Sequence, residues 1–222
     1  MIAIVDYGAG NIRSIEKALA YLGARVEVTD DAAVVARASA VVLPGVGSGG
    51  AAMARMKQRG LDDAIRQATE QYRPFLGICL GMQLLADHHA EGEVDGLGLF
   101  RGEVRRIGWG AYVERSQHSD AGGGPHGPKI PHMGWNQVMP LRDGLPIFAG
   151  IPADAYFYFA HSYYVEPQDQ NGVAAVTDYG SPFCSVIVSE QCWGTQFHPE
   201  KSGPVGLRML RNFIEWVEDR EP

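Results

Sequence analysis

Four short apolar runs, at residues 2–6, 25–28, 40–43 and 74–78, alternate with amphipathic stretches, and this rhythm limits the fold more than any other feature of the chain. Runs that are continuous rather than alternating suit strands covered on both faces. After the first run, Ile12, Ile15, Leu19 and Leu22 fall three and four apart; Asn11 can cap the helix they imply and Gly23 can stop it. Asp30 or Asp31 can cap a second, short helix, and further helices are expected from about residue 51 and over 61–72. The β-α-β-α-β order predicts an α/β fold with a mostly parallel sheet and helices on both faces. From residue 93 the texture changes to short alternating segments near 103–107, 155–159, 173–177 and 184–188, which read as added, partly antiparallel strands. Leu207, Leu210, Phe213, Ile214 and Val217 mark a closing helix.

The fourth run ends in Gly77-Ile78-Cys79-Leu80-Gly81-Met82-Gln83, and helix formers follow, so a helix is expected over 80–87. Glycines on either side of a reactive side chain permit a sharp strand-to-helix turn that lifts it above the sheet edge, where a helix N-terminus favours negative charge. The alternative is a buried Cys that packs as a small hydrophobe. A partner residue decides between the two. His198-Pro199-Glu200 supplies one: with Pro199 holding the segment extended, residues two apart point to the same side, so imidazole and carboxylate lie together. Taken alone, His followed by Glu is an ordinary surface pair. Joined to Cys79, His198 and Glu200 make a Cys-His-Glu triad for acyl carbon. Its tetrahedral intermediate needs N–H donors. The Leu80 amide is one, and the loop at Val46 and Gly47, after the neighbouring strand, is the expected second, each worth about 3 kcal/mol of barrier.

Other constellations carry less. Gly45, Gly47 and Gly50 match Gly-x-Gly-x-x-Gly, but on the third strand and without an acidic strand end about 20 residues on, so no dinucleotide is expected. Asp87-His88-His89-Ala90-Glu91 reads as a polar helix end leading into a loop rather than a metal cluster, and no metal and no cofactor are expected. Cys184 and Cys192 could meet across a hairpin, although two free thiols on strands fit a reducing compartment better. The segment 116–129 contains Gly122-Gly123-Gly124-Pro125 and few apolar residues; it is expected to be a mobile, solvated insertion loop, and its His118 and His126 are assigned no role.

With 26 acidic against 19 basic residues, the net charge of -7 gives a phosphate backbone no electrostatic support, so nucleic acid is not an expected partner. No apolar stretch approaches the roughly 20 residues of a membrane span, and the first residues carry no basic leader, so a cytoplasmic chain is expected. At 222 residues one domain, 1–222, accounts for the chain and leaves no room for a synthase domain.

The elbow, together with Phe197-His198-Pro199-Glu200, resembles the class I (triad) glutamine amidotransferases. Asp6-Tyr7-Gly8-Ala9-Gly10-Asn11, Pro44-Gly45-Val46-Gly47, Pro131-His132-Met133-Gly134-Trp135-Asn136, His161-Ser162-Tyr163 and His198-Pro199-Glu200-Lys201-Ser202 narrow the resemblance to members that serve histidine biosynthesis. It implies a flavodoxin-like fold and hydrolysis of L-glutamine through a Cys thioester. It also implies a heterodimer with a (β/α)8 cyclase subunit that receives the ammonia. Residue by residue, it implies a triad of Cys79, His198 and Glu200, and an oxyanion strand at residues 44–47 whose peptide must turn inward. Gly47, Gln83, His161, Ser162 and Tyr163 would then hold the glutamine α-amino and α-carboxylate groups. Asn11, Met133, Trp135, Tyr158 and Lys201 would lie toward the partner, around the ammonia exit. The loop 116–129 departs from the shorter family pattern. Three other readings stay open: a different amidotransferase subunit, which leaves 131–136 unexplained; a partnerless Cys peptidase or γ-glutamyl hydrolase; and a binding module that has kept only the fold.

Overall fold

The computed structural model describes residues 1–8, 10–108 and 129–220; the loop expected at 116–129 lies, except for Lys129, outside them. The expected alternation is present as β1 (Ile2–Val5), α1 (Ile12–Tyr21), β2 (Val26–Thr29), α2 (Ala32–Arg37), β3 (Ala40–Gly45), α3 (Gly49–Gln58), α4 (Leu61–Glu70) and β4 (Phe75–Cys79). The Asp31 carboxylate accepts from Ala33 N at 2.8 Å and so caps α2. Asn11 begins α1 in the left-handed conformation, at φ 75, without capping it, because its side chain is used elsewhere.

One expected element is shorter than its sequence implies. After Cys79 the helix α5 covers only Leu80–Gln83. The carbonyls that would have continued it are taken by another segment: Leu97 N donates to Leu84 O at 2.8 Å, and Leu99 N and Phe100 N both donate to Leu85 O at 2.9 Å. The stretch around His88, expected as a polar helix end, is a short strand β5 (His88–His89) beside β6 (Val94–Asp95). The chain continues through β7 (Gly102–Arg106), β8 (His132–Gln137), β9 (Met139–Pro140), β10 (Tyr156–His161), β11 (Tyr163–Pro167), β12 (Val173–Asp178), β13 (Pro182–Val188), β14 (Cys192–Thr195) and α6 (Gly203–Glu218).

The main sheet runs β2-β1-β3-β4-β14-β13-β12-β9. Its first five strands are parallel and the rest antiparallel. The parallel part has the flavodoxin-like order, with a reversal of strand order between β1 and β3. Alternate residues feed two cores. Ile2, Ile4, Ala40, Val42, Leu76 and Ile78 pack with α1 and α6 through Ile15, Leu19, Leu210 and Phe213. Val5, Val41, Leu43 and Phe75 pack with Val35, Met53, Met56 and Ile65 of the helices on the other face. Cys184 and Cys192 are free and buried, and burial pushes both thiols up to about 12. The smaller sheets β10-β8 and β11-β7-β5-β6 complete the described residues. β4 lies between β3 and β14, with Gly45 paired to Cys79 and Thr195 to Ile78. The loops after all three strands therefore converge at the C-terminal ends of parallel strands, where open α/β sheets bind ligands.

Candidate active site

Cys79 ends β4 with φ 55 and ψ -108, a conformation that L side chains rarely adopt. The flanking glycines make this turn possible by close approach. A Cβ on Gly77 would stand 2.7 Å from the Gly81 carbonyl oxygen, and one on Gly81 would stand 1.7 Å from the Leu43 carbonyl oxygen. The Gly-x-Cys-x-Gly spacing is thus the footprint of a backbone crossing in which neither flanking position has room for a side chain.

His198 arrives from the strand on the other side of β4. Its Nδ1 lies 2.8 Å from Glu200 Oε1, and both side chains are buried. The two meet by a different route from the extended one expected: His198 is extended, but Pro199–Lys201 is a single 3-10 turn with Pro199 at its first position. Proline there needs no N–H donor and its fixed φ suits a helical start, so the turn folds the carboxylate back beneath the ring. Burial alone would lower the His198 pKa, but hydrogen bonds to Cys79 and Glu200, with their negative charge, raise it to about 9. Because Nδ1 is committed to Glu200, Nε2 is the nitrogen left for Cys79. The Cys79 sulfur also lies 3.9 Å from the Ala160 carbonyl and 3.8 Å from Gln196 Nε2.

Asn11, expected to lie toward the partner around the ammonia exit, is half-buried and turns its side-chain amide inward. Its Nδ2 donates to Glu200 Oε1 at 2.5 Å and lies 3.4 Å from His198 Nδ1. Sequence reading missed this contact because an Asn before a helix already has a sufficient local explanation as a cap.

A cavity of about 320 Å³ opens over Cys79. Its lining includes Val46, Gly47, Leu80, Gln83, His161, Ser162 and Tyr163, so every expected oxyanion and glutamine residue reaches it. Two of them have their side chains already engaged. Gln83 donates to the Tyr163 carbonyl at 2.8 Å and to Gln196 Oε1 at 3.1 Å, while its own Oε1 lies 3.1 Å from His89 Nε2. The His161 ring lies 2.8 Å from the Tyr163 carbonyl through Nδ1 and 3.0 Å from His132 through Nε2. Burial pushes His161 down to about 3 and His132 and His89 down to about 4, so these rings are neutral at neutral pH. His161 lines the cavity, and His132 and His89 stand behind it as hydrogen-bond partners of His161 and Gln83. Glu91, within the stretch read as a helix end, also lines the cavity and accepts from Gly49 N at 3.2 Å. Neither Glu91 nor Gln196 carries a local signal; strand pairing alone brings them here.

On the outer side, Met133 and Trp135 of β8 are 63% and 57% exposed. Trp135 stands edge-on to Tyr158 of β10, ring centres 6.2 Å apart, and Lys201 is exposed nearby in the chain after Glu200. Tyr158 is tied to the site through the backbone, its carbonyl accepting from His198 N at 2.9 Å.

A thiol in the cavity lining, with a buried imidazole and carboxylate hydrogen-bonded behind it, suits acyl transfer, and known proteins give that geometry its lineage. The family Glutamine amidotransferase class-I matches residues 3–216. Imidazole glycerol phosphate synthase subunit HisH of Moorella thermoacetica is 48% identical over 97% of this chain and 95% of its own length. The subunit of the same name from Dehalococcoides mccartyi is 43% identical over 97% of both chains. Among solved structures, a glutamine amidotransferase superposes with a TM-score of 0.70 at 18% identity, covering 98% of both chains. PurLQS from Thermotoga maritima gives the same TM-score at 17% identity, covering 97% of this chain and 98% of that one. The structural likenesses speak for the fold. The family match and the close relatives go further, and the chain belongs to the class I glutamine amidotransferases, in the group of imidazole glycerol phosphate synthase subunits named HisH.

Proposed function

We propose that this protein hydrolyses L-glutamine to glutamate and ammonia, and that the ammonia passes to a (β/α)8 cyclase subunit for imidazole glycerol phosphate synthesis in histidine biosynthesis. The observation that carries the reading is the convergence of Cys79, His198 and Glu200 at the ends of two paired strands, with Cys79 in the cavity lining and the His198–Glu200 pair hydrogen-bonded behind it. Residues 1–222 serve as a single amidotransferase domain in this reading.

The Cys79 thiolate attacks the side-chain carboxamide carbon of glutamine. A C–S bond forms and the carbonyl electrons move to oxygen, where the Leu80 N–H and an N–H of the loop at Val46 and Gly47 receive the charge. His198, held protonated by Glu200 and Cys79, gives its proton to the departing nitrogen. The C–N bond breaks, ammonia leaves and a thioester remains. Now neutral, His198 takes a proton from water as the water oxygen attacks the thioester, and glutamate departs as the thiolate re-forms. Glu200 keeps Nδ1 protonated through both halves, so Nε2 always faces the reaction. Glu91, the one carboxylate that lines the cavity among the described residues, suits the α-ammonium group, while Gly47, Ser162 and Tyr163 offer the backbone and hydroxyl groups for the α-carboxylate. Gln83 and His161 act by holding the Tyr163 carbonyl in place.

The test is glutamate release by the chain alone and by the chain mixed with the cyclase subunit and its ribonucleotide ligand. Release should be slow alone and rise strongly in the complex, and Cys79→Ala should abolish it while ammonia-driven synthesis survives. Equal rates with and without the cyclase would remove the partner from the reading, and no release in either case would remove the glutaminase.

A further inference from the structure

The loop at Val46, Gly47 and Ser48 is a wall between two cavities. One lies over Cys79; the other, of about 190 Å³, is bounded by Tyr7, Gly8, Gly10 and Arg55 and sits where the strand order reverses between β1 and β3. Tyr7 is 1% exposed, yet its hydroxyl has no hydrogen-bond partner among the described residues. It rests against the last residue of β3: a Cβ on Gly45 would stand 2.3 Å from the Tyr7 oxygen. Burial and the nearby Cys79 charge both favour the neutral phenol, which keeps its proton for donation. A buried hydroxyl without an acceptor is costly, and native structures seldom leave one unexplained.

A peptide unit holds its N–H and C=O on opposite sides. Rotation of the Gly45–Val46 peptide that aims the Val46 N–H toward Cys79 therefore sends the Gly45 carbonyl the other way. That carbonyl is bonded to the very Cα against which the Tyr7 hydroxyl lies, so a rotated peptide can set its oxygen against the unpartnered donor. We propose that Tyr7 is a positioning residue that latches the oxyanion loop: its hydroxyl donates to the Gly45 carbonyl when the Val46 N–H faces the reacting carbon. The inference rests on the glutaminase reading and adds to it a fixed donor behind the moving peptide. The hydroxyl is unpaired in the state described here and paired in the active one, so it biases the loop toward activity without touching substrate.

Tyr7→Phe keeps the ring and removes the donor. In the full complex of this chain with the cyclase subunit and its ribonucleotide ligand, the variant should lose about tenfold in kcat for glutamine hydrolysis, the worth of one hydrogen bond, with the KM for glutamine unchanged. Alkylation of Cys79 by iodoacetamide, which passes through no oxyanion, should keep its wild-type rate. An unchanged kcat overturns the latch, as does a parallel fall in alkylation, which would mean that the site had merely loosened. Failure of the glutaminase reading looks different, because the wild-type complex itself would then release no glutamate.

Discussion

The Asn11 side-chain amide donates to Glu200 Oε1 at 2.5 Å, the same oxygen that faces His198 Nδ1 at 2.8 Å. One carboxylate oxygen thus serves two partners, while the buried Oε2 has none among the described residues. The carboxylate has few other restraints on its rotation, so Asn11 decides which oxygen meets the imidazole. Asn11→Ala should lower kcat for glutamine hydrolysis by about ten- to a hundredfold, corresponding to ~1.5–3 kcal/mol for a hydrogen bond to a charged group. Asn11→Asp, which sets like charges together, should cost more. Steady-state kinetics on the complex check both, and a wild-type kcat for Asn11→Ala would show that His198 alone orients Glu200.

His198 titrates in the opposite sense to the other buried imidazoles around the site. Its pKa is raised to about 9, so the proton needed by the leaving ammonia is present below that pH and lost above it. His89, His132 and His161 are pushed well below neutrality by burial and stay uncharged. Following the ring carbon signals by NMR should give one imidazole with a midpoint near 9, and Glu200→Gln should move that midpoint down. A wild-type midpoint at about 6.5, the ordinary imidazole value, would contradict the Cys79–His198–Glu200 coupling.

Much of this architecture can be read from residue order, and the exceptions share one physical cause. The strands feeding β1 to β4 announce themselves by continuous apolar runs, and the elbow by two glycines that a local backbone crossing requires. The truncation of α5 at Gln83 does not, because the amides that end it belong to residues 97–100, brought there by tertiary folding. Asn11 has the look of a cap and is one only in position, since its amide is claimed by a carboxylate 189 residues away in sequence. Likewise, nothing adjacent to His89 or Glu91 predicts a strand, and the pairing of β5 with β7 carries His89 to Gln83 and Glu91 to the cavity lining. Local propensity was legible; competition for the same groups by distant segments was not.

Gly81→Ala tests the backbone crossing beneath the nucleophile. The new Cβ would stand 1.7 Å from the Leu43 carbonyl oxygen, a backbone atom at the centre of the sheet that cannot move without its strand. The variant should lose at least about 3 kcal/mol, the upper range for overpacking, or fail to fold. Gly47→Ala is the contrast: open space surrounds its Cβ, but its φ of +96 lies where only glycine is at ease. That variant should keep most of the stability and lose glutaminase activity as the loop relaxes. Denaturant melts beside activity assays separate the two, and a stable Gly81→Ala protein would mean that β3 and α5 are less closely locked than described.

Trp135 offers the most direct test of the proposed docking face. Its exposed ring stands edge-on to Tyr158, and the Tyr158 carbonyl accepts from His198 N at 2.9 Å, so pressure on this surface bears on the backbone that carries the imidazole. A partner seated on Met133 and Trp135 would both bury about a hot spot's worth of aromatic surface and steady that path. Trp135→Ala should therefore weaken binding of the cyclase subunit by about ten- to a hundredfold, as loss of a buried aromatic anchor does. Glutaminase activity should return at saturating partner, and iodoacetamide labelling of Cys79 in the isolated chain should be unchanged, because Trp135 is not among the described residues that line the cavity over Cys79. Binding by titration calorimetry at wild-type affinity would place the cyclase on another face, and a variant that binds fully but stays slow would show that Trp135 transmits the partner's effect without holding the partner.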